Sequence, residues 1–134
     1  MKRLLAYAWA APVSAAALPM VPLVLASGGK ARLIDGVLEV GGGVLGPLLT
    51  RAIPAFPIGA ITLGHVVLGA DARCLEQSRG HERVHVAQYE RWGILFPIVY
   101  AASSLGALLS GGRAYGDNAF EKEARRHDGS FQAA

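Results

Sequence analysis

Residues 81–85 read His-Glu-Arg-Val-His, an H-E-x-x-H pattern. On a helix, positions i and i+4 share one face, so His81 and His85 can offer two imidazoles to one Zn²⁺ ion. The Glu between them, Glu82, can then serve as general base toward a water on the metal. With four His and six Glu in 134 residues, chance supplies roughly 0.005 such matches. A charged, solvated helix is the plainer reading of RGHERVHVAQYERWG, and Arg79 and Arg83 stand where metallopeptidases carry uncharged residues. Arg83 points roughly 200° away from His81 on a helix and need not block a metal.

A catalytic zinc takes three protein ligands and keeps one position open. Downstream, NAFEKEA offers Glu121 and Glu123 as candidates for the third. Asn118 with Glu three residues later is close to a capping box, so a helix begins near Asn118. That role competes with metal binding for the Glu121 carboxylate. Gln88 and Trp92 follow His81 on the same helix face, and Gln88 is a candidate for orienting a ligand or a substrate. Tyr89 and Tyr115 are candidates for stabilising an oxyanion. His65 reads as a half-buried strand histidine and Cys74 as a small buried residue.

HERVHVAQYERWG followed by DNAFEKEA resembles the gluzincin-type zinc metallopeptidases. More closely, it resembles a group of small uncharacterised bacterial membrane proteins that share an H-E-R-x-H-x-x-Q-Y-E-R-W-G core and a later D-N-x-F-E-x-E-A segment. The likeness covers about residues 60–126. It implies Zn²⁺ held by His81, His85 and Glu121, with Glu82 as catalytic base and a peptide or protein as substrate. It also implies an edge strand beside the active helix that receives the substrate backbone. In the prenyl-protease-like branch the ligand Glu opens an E-x-x-A-D pattern. Here the chain has Arg125 at the Asp position, and Asp71 or Asp117 would have to replace that support.

These residues need a scaffold. The chain is 52% hydrophobic and 17% charged, with a net charge of +3. That is more apolar than an average soluble domain. Residues 1–70 carry five basic and two acidic groups, and residues 71–134 carry eight of each. No basic face points to nucleic acid. Stretches 4–29, 52–70 and 92–112 hold no charged side chain. The first, behind Lys2 and Arg3, is long enough for a membrane anchor; a cleaved signal and a buried core helix are its rivals. The third could span a bilayer, pack in the core, lie in the membrane interface, or enter and turn back, and a helix packed in the core or partly in the membrane is the expectation. A single crossing there would separate His81 from Glu121 by the membrane, so the zinc site and that crossing exclude each other.

Between these stretches, ARLIDGVLEV reads as a hairpin turning at Asp35-Gly36, and Gly41-Gly42-Gly43 ends its second strand. Residues 61–68 read as one strand of about eight residues. The expected architecture is α+β: an N-terminal hydrophobic membrane helix, a small sheet, a zincin-like active helix, an apolar helix and a short C-terminal Glu helix. Residues 1–29 form the anchor or signal and residues 30–134 a small zincin-like domain. The expected function is a membrane-anchored zinc peptidase-like hydrolase in the bacterial inner membrane. The alternative is a non-catalytic small membrane protein with a structural or vestigial zinc site. Either way, membrane lipid is the expected surrounding.

Overall fold

A computed structural model describes residues 1–51 and 59–132, with side chains placed as far as His127. Residues 52–58, which hold Pro54 and Pro57 of the second uncharged stretch, lie outside the described residues. The fold is α+β. Helices α1 (Lys2–Ala17) and α2 (Met20–Ala26) lead into strands β1 (Lys30–Ile34) and β2 (Val37–Gly41), then α3 (Leu45–Arg51). Strands β3 (Ala60–Leu63) and β4 (Val66–Gly69) follow, then α4 (Ala72–Trp92), a 3₁₀ turn (Gly93–Leu95), α5 (Phe96–Leu109) and α6 (Ala119–Gln132).

The sheet order is β1-β2-β4-β3, with β2 and β4 parallel and both outer pairs antiparallel. Asp35 (φ +51°) and Gly36 (φ +80°) make the β1–β2 turn. Two left-handed residues in a row match the twist of the flanking strands, and Asp-Gly tolerates them. The single strand expected over residues 61–68 is instead the β3–β4 hairpin, which turns at Gly64 and His65. Gly64 inside the apolar run is the turn signal, and the β-branched residues on either side of it masked it.

Side-chain alternation sorts the sheet into two faces. Val40, Val66 and Leu68 meet Ala17 of α1, Val24 of α2, and Leu45 and Leu49 of α3. Val37 and Val67 meet Leu75 and Val86 of α4. A third cluster joins Ala10 and Val13 of α1 to Tyr89 and Phe96, where α4 gives way to α5. Residues 2–26 therefore pack along the domain that follows them. Arg3 donates to the Asp35 carbonyl, Tyr7 to the Gly36 carbonyl, and Ser14 accepts from the His65 amide.

By length and composition the run Ala72–Leu109 is one helix long and apolar enough to cross a membrane, and α1 with α2, bent by 47°, passes the same test as a pair. The run is not straight. A straight helix would put Tyr100 about 22 Å from His85, yet their ring centroids are 6.4 Å apart. Gly93, at φ +58°, turns the chain. The Trp9 ring lies where a Cβ on Gly93 would stand, 2.6 Å from it. So α5 doubles back toward α4, and residues 92–112 do not carry the chain away from His81 and His85.

Candidate metal centre

Asp71 starts α4 by accepting from the Cys74 amide at 2.7 Å. Buried Leu75, Val84, Val86 and Tyr89 seat the helix, and His81 and His85 fall on its side toward α6. Asn118 starts α6: its Oδ1 accepts from the Phe120 amide at 2.9 Å, and its amide group donates to the Tyr100 carbonyl and the Ser104 hydroxyl. The cap thus fixes α6 to α5, and Glu121 in its first turn reaches α4.

Glu121 Oε2 lies 2.9 Å from His81 Nε2, and Oε1 lies 3.1 Å from His85 Nε2. The two Nε2 atoms are 3.2 Å apart. All three donors fall within 4.8 Å of one another. A tetrahedral ion bonded to each at about 2.0–2.1 Å spaces its donors about 3.3 Å apart, and two His with one carboxylate is the donor set of a catalytic zinc. The donor set and spacing fit Zn²⁺.

Gln88 decides the His85 tautomer. It is 0% exposed, and its Nε2 donates to the Phe120 carbonyl and to Glu123 Oε1, both at 3.0 Å. Its Oε1 must then accept from His85 Nδ1, 2.8 Å away. In the neutral imidazole that leaves the proton on Nδ1 and a lone pair on Nε2, turned toward His81 and Glu121. That lone pair, the His81 imidazole and a carboxylate converge in a buried place and need a cation or an added proton between them. Glu123 is engaged by Gln88, so Glu121 alone of the two downstream carboxylates joins the cluster. Glu121 also accepts from the Tyr100 hydroxyl at 2.7 Å. No capping bond from its carboxylate to Asn118 is needed, because the Asn118 amide donates to the Tyr115 carbonyl.

Glu82 is buried beside the cluster, and its Oε2 accepts from the Thr62 hydroxyl of β3 at 2.6 Å. Burial raises its pKa, and the Thr62 bond and the nearby imidazoles only partly offset that. Burial also works against the charge on Glu121. The bonds from His81 and His85, with that from Tyr100, outweigh it and hold the carboxyl well below the usual range. Burial lowers the pKa of His85, but the bond and charge of Glu121 and the charge of Glu82 leave it raised overall. Tyr115 is half exposed; burial and the Glu121 carboxylate push its phenol up to about 12.

Other sequence candidates lie elsewhere. Tyr89 packs on Phe96 with centroids 4.4 Å apart. Asp71 and Asp117 accept from backbone amides, of Cys74 and Arg113 respectively, and Arg125 donates to the Gly116 carbonyl. The support expected from an Asp comes instead from Gln88. Arg79 and Arg83, which stood out as departures inside the motif, both pair with buried Glu39 of β2 at 2.9 Å. Thr62, Tyr100 and Glu39 were not singled out from the sequence. A threonine whose parity turns it toward α4, and a tyrosine inside an uncharged run, are the signals that mark the first two.

No family model matches this chain, and no curated protein and no solved structure matches it either. The likeness to gluzincins rests on the motif residues.

Proposed function

We propose that the chain is a membrane-associated, zinc-dependent hydrolase that cleaves peptide bonds, with His81, His85 and Glu121 as ligands and Glu82 as general base. The observation that carries this reading is the convergence of three donors from segments 40 residues apart. A bound Zn²⁺ supplies an activated water, with a pKa near 7, and polarises the scissile carbonyl. The chain supplies the rest. Gln88 keeps His85 in the tautomer that binds through Nε2. Thr62 engages Glu82 Oε2, so Oε1 takes the proton and hands it to the leaving amine. Burial raises the affinity of Glu82 for that proton, which brings it closer to the operating pH.

A second reading, a structural or vestigial metal, is favoured by burial. Glu82, His85 and Glu121 are all buried, which suits a structural metal more than an entering substrate. Glu82→Gln separates the two. The hydrolase reading predicts zinc content unchanged and hydrolysis lowered by about 10²–10⁴-fold, measured against a peptide library with zinc assayed on the same sample. Unchanged hydrolysis in that variant removes Glu82 from the mechanism. Wild-type protein that holds zinc and cleaves nothing in the library favours the structural reading.

A further inference from the structure

Two helices of this protein turn their hydroxyl side chains inward, beside buried apolar residues such as Val13 and Phe96, and leave an apolar face outside. The inward residues of α5 include Tyr100, Ser103 and Ser104, which bond to Glu121, the Ala119 amide and the Ala114 carbonyl. Its outward residues are Pro97, Ile98, Ala101, Ala102, Leu105, Leu108 and Leu109, with Ile98 64% and Leu109 80% exposed. Helix α1 repeats the arrangement. Tyr7 and Ser14 turn inward to the Gly36 carbonyl and the His65 amide, while Leu4, Leu5, Trp9 and Leu18 are exposed. The two faces adjoin where Trp9 lies on Gly93 and donates to the Arg91 carbonyl at 3.3 Å. Exposed Ile94 and Leu95 continue the surface there. Water favours the opposite arrangement, and apolar patches of this extent mark a partner or a membrane.

We propose that this surface lies in one leaflet of a bilayer and that the chain is monotopic: α1, the 3₁₀ turn and α5 are half immersed, and none of them crosses. The inference rests on the membrane association in the reading above and is independent of the metal. Two observations select lipid and half-immersion. First, the margin is basic. Residues 1–34 contain no acidic residue, and Lys2, Arg3, Lys30 and Arg32 bracket α1 and α2. Such a margin suits anionic headgroups, whereas a two-fold pairing of this face with itself would bring like charges together. Second, β1 is an edge strand that among the described residues pairs with no strand but β2, and α1 packs along the sheet that contains it. An open sheet edge does not occur in hydrocarbon, so α1 cannot cross without dragging the sheet into the membrane. The stretch after α5 carries exposed Arg113 paired with Asp117, an ion pair that belongs at headgroup level rather than in hydrocarbon.

The test uses the full chain carrying Cys74→Ser and one new cysteine at a time. In spheroplasts, an impermeant maleimide should label Lys2→Cys, Lys30→Cys and Arg113→Cys from one side: all in intact cells, or all only after lysis. Spin labels at Leu5→Cys, Ile98→Cys and Leu105→Cys should report depths of about 5–10 Å below the headgroups. The pair Leu105→Glu with Leu109→Glu, checked for unchanged circular dichroism, should weaken binding to phosphatidylglycerol vesicles by about ten-fold or more. Labelling of Lys2→Cys and Lys30→Cys from opposite sides would overturn the proposal, as would any label near the bilayer midplane. So would a stable lipid-free dimer that shields these positions and ignores vesicles. Zinc content on the same samples is a separate readout: its loss would sink the hydrolase reading and leave the topology standing.

Discussion

Two polar clusters flank α4, one toward the sheet and one toward α6, and they differ in whether their charges close. On the sheet side, Glu39 meets Arg79 through Nε and a terminal nitrogen, at 2.9 and 3.0 Å, and Arg83 at 2.9 Å. Arg83 also donates to the Ile34 carbonyl. Burial raises the pKa of Glu39, but the two guanidiniums outweigh it and leave the carboxylate below its ordinary value. The Glu39 carboxylate is closed by protein cations alone, with Arg83 Nη1 left as the buried atom without a partner, and the cluster ties β2 to α4. On the α6 side, two imidazole Nε2 atoms face a carboxylate, and among the described residues no Lys or Arg pairs with it. Buried charges that saturate one another hold a fold together. Metal-type nitrogen donors that have only one another and a carboxylate for partners mark a place for something else.

The contrast can be broken in several places. The largest effect is expected at Glu39→Gln, which leaves two guanidiniums facing each other. Breaking a buried ion cluster this way costs about 3 kcal/mol, read as a lower denaturation midpoint with zinc present or absent. A loss that appears only in the metal-free protein would show that the sheet side is coupled to the metal after all.

Gln88→Leu is the next largest. It should weaken zinc binding by about 10–100-fold in competition with a chelator, and Gln88→Glu, which restores an acceptor for His85 Nδ1, should recover part of it. Equal affinity in Gln88→Leu would remove the tautomer argument. Thr62→Val should leave zinc in place and slow hydrolysis by about ten-fold through a misplaced Glu82.

The smallest effect is in pH. Because the pKa of Glu39 is lowered on folding, its share of stability is present above the ordinary value of 4.5 and is lost as pH falls through the folded value. Wild type should therefore lose more stability on acidification than Glu39→Gln does, measured by denaturant titration between about pH 5 and pH 3. Parallel curves would mean that the cluster carries no linkage.

The legible parts of the sequence were those written locally. Asp35-Gly36 announces its hairpin, Asn118 its helix start, and His81 and His85 their shared face, because each signal sits within a few residues. Arg79 and Arg83 looked like flaws in the motif because their partner, Glu39, lies 40 and 44 residues away. Thr62 and Tyr100 were hidden for the same reason. Hydropathy showed that residues 4–29 and 92–112 are apolar. It could not show that their few polar side chains turn inward, since that depends on Gly93 folding α5 back and on the sheet lying under α1.

The measurement that tests the central claim most directly is zinc stoichiometry by elemental analysis of detergent-purified wild type, His85→Ala and Glu121→Ala. The account predicts about one zinc per chain in wild type, lost or weakened in both variants while their circular dichroism stays unchanged. Correctly folded wild type that holds no zinc, before or after exposure to it, would contradict the account. The cluster would then be closed by a shared proton rather than by a metal.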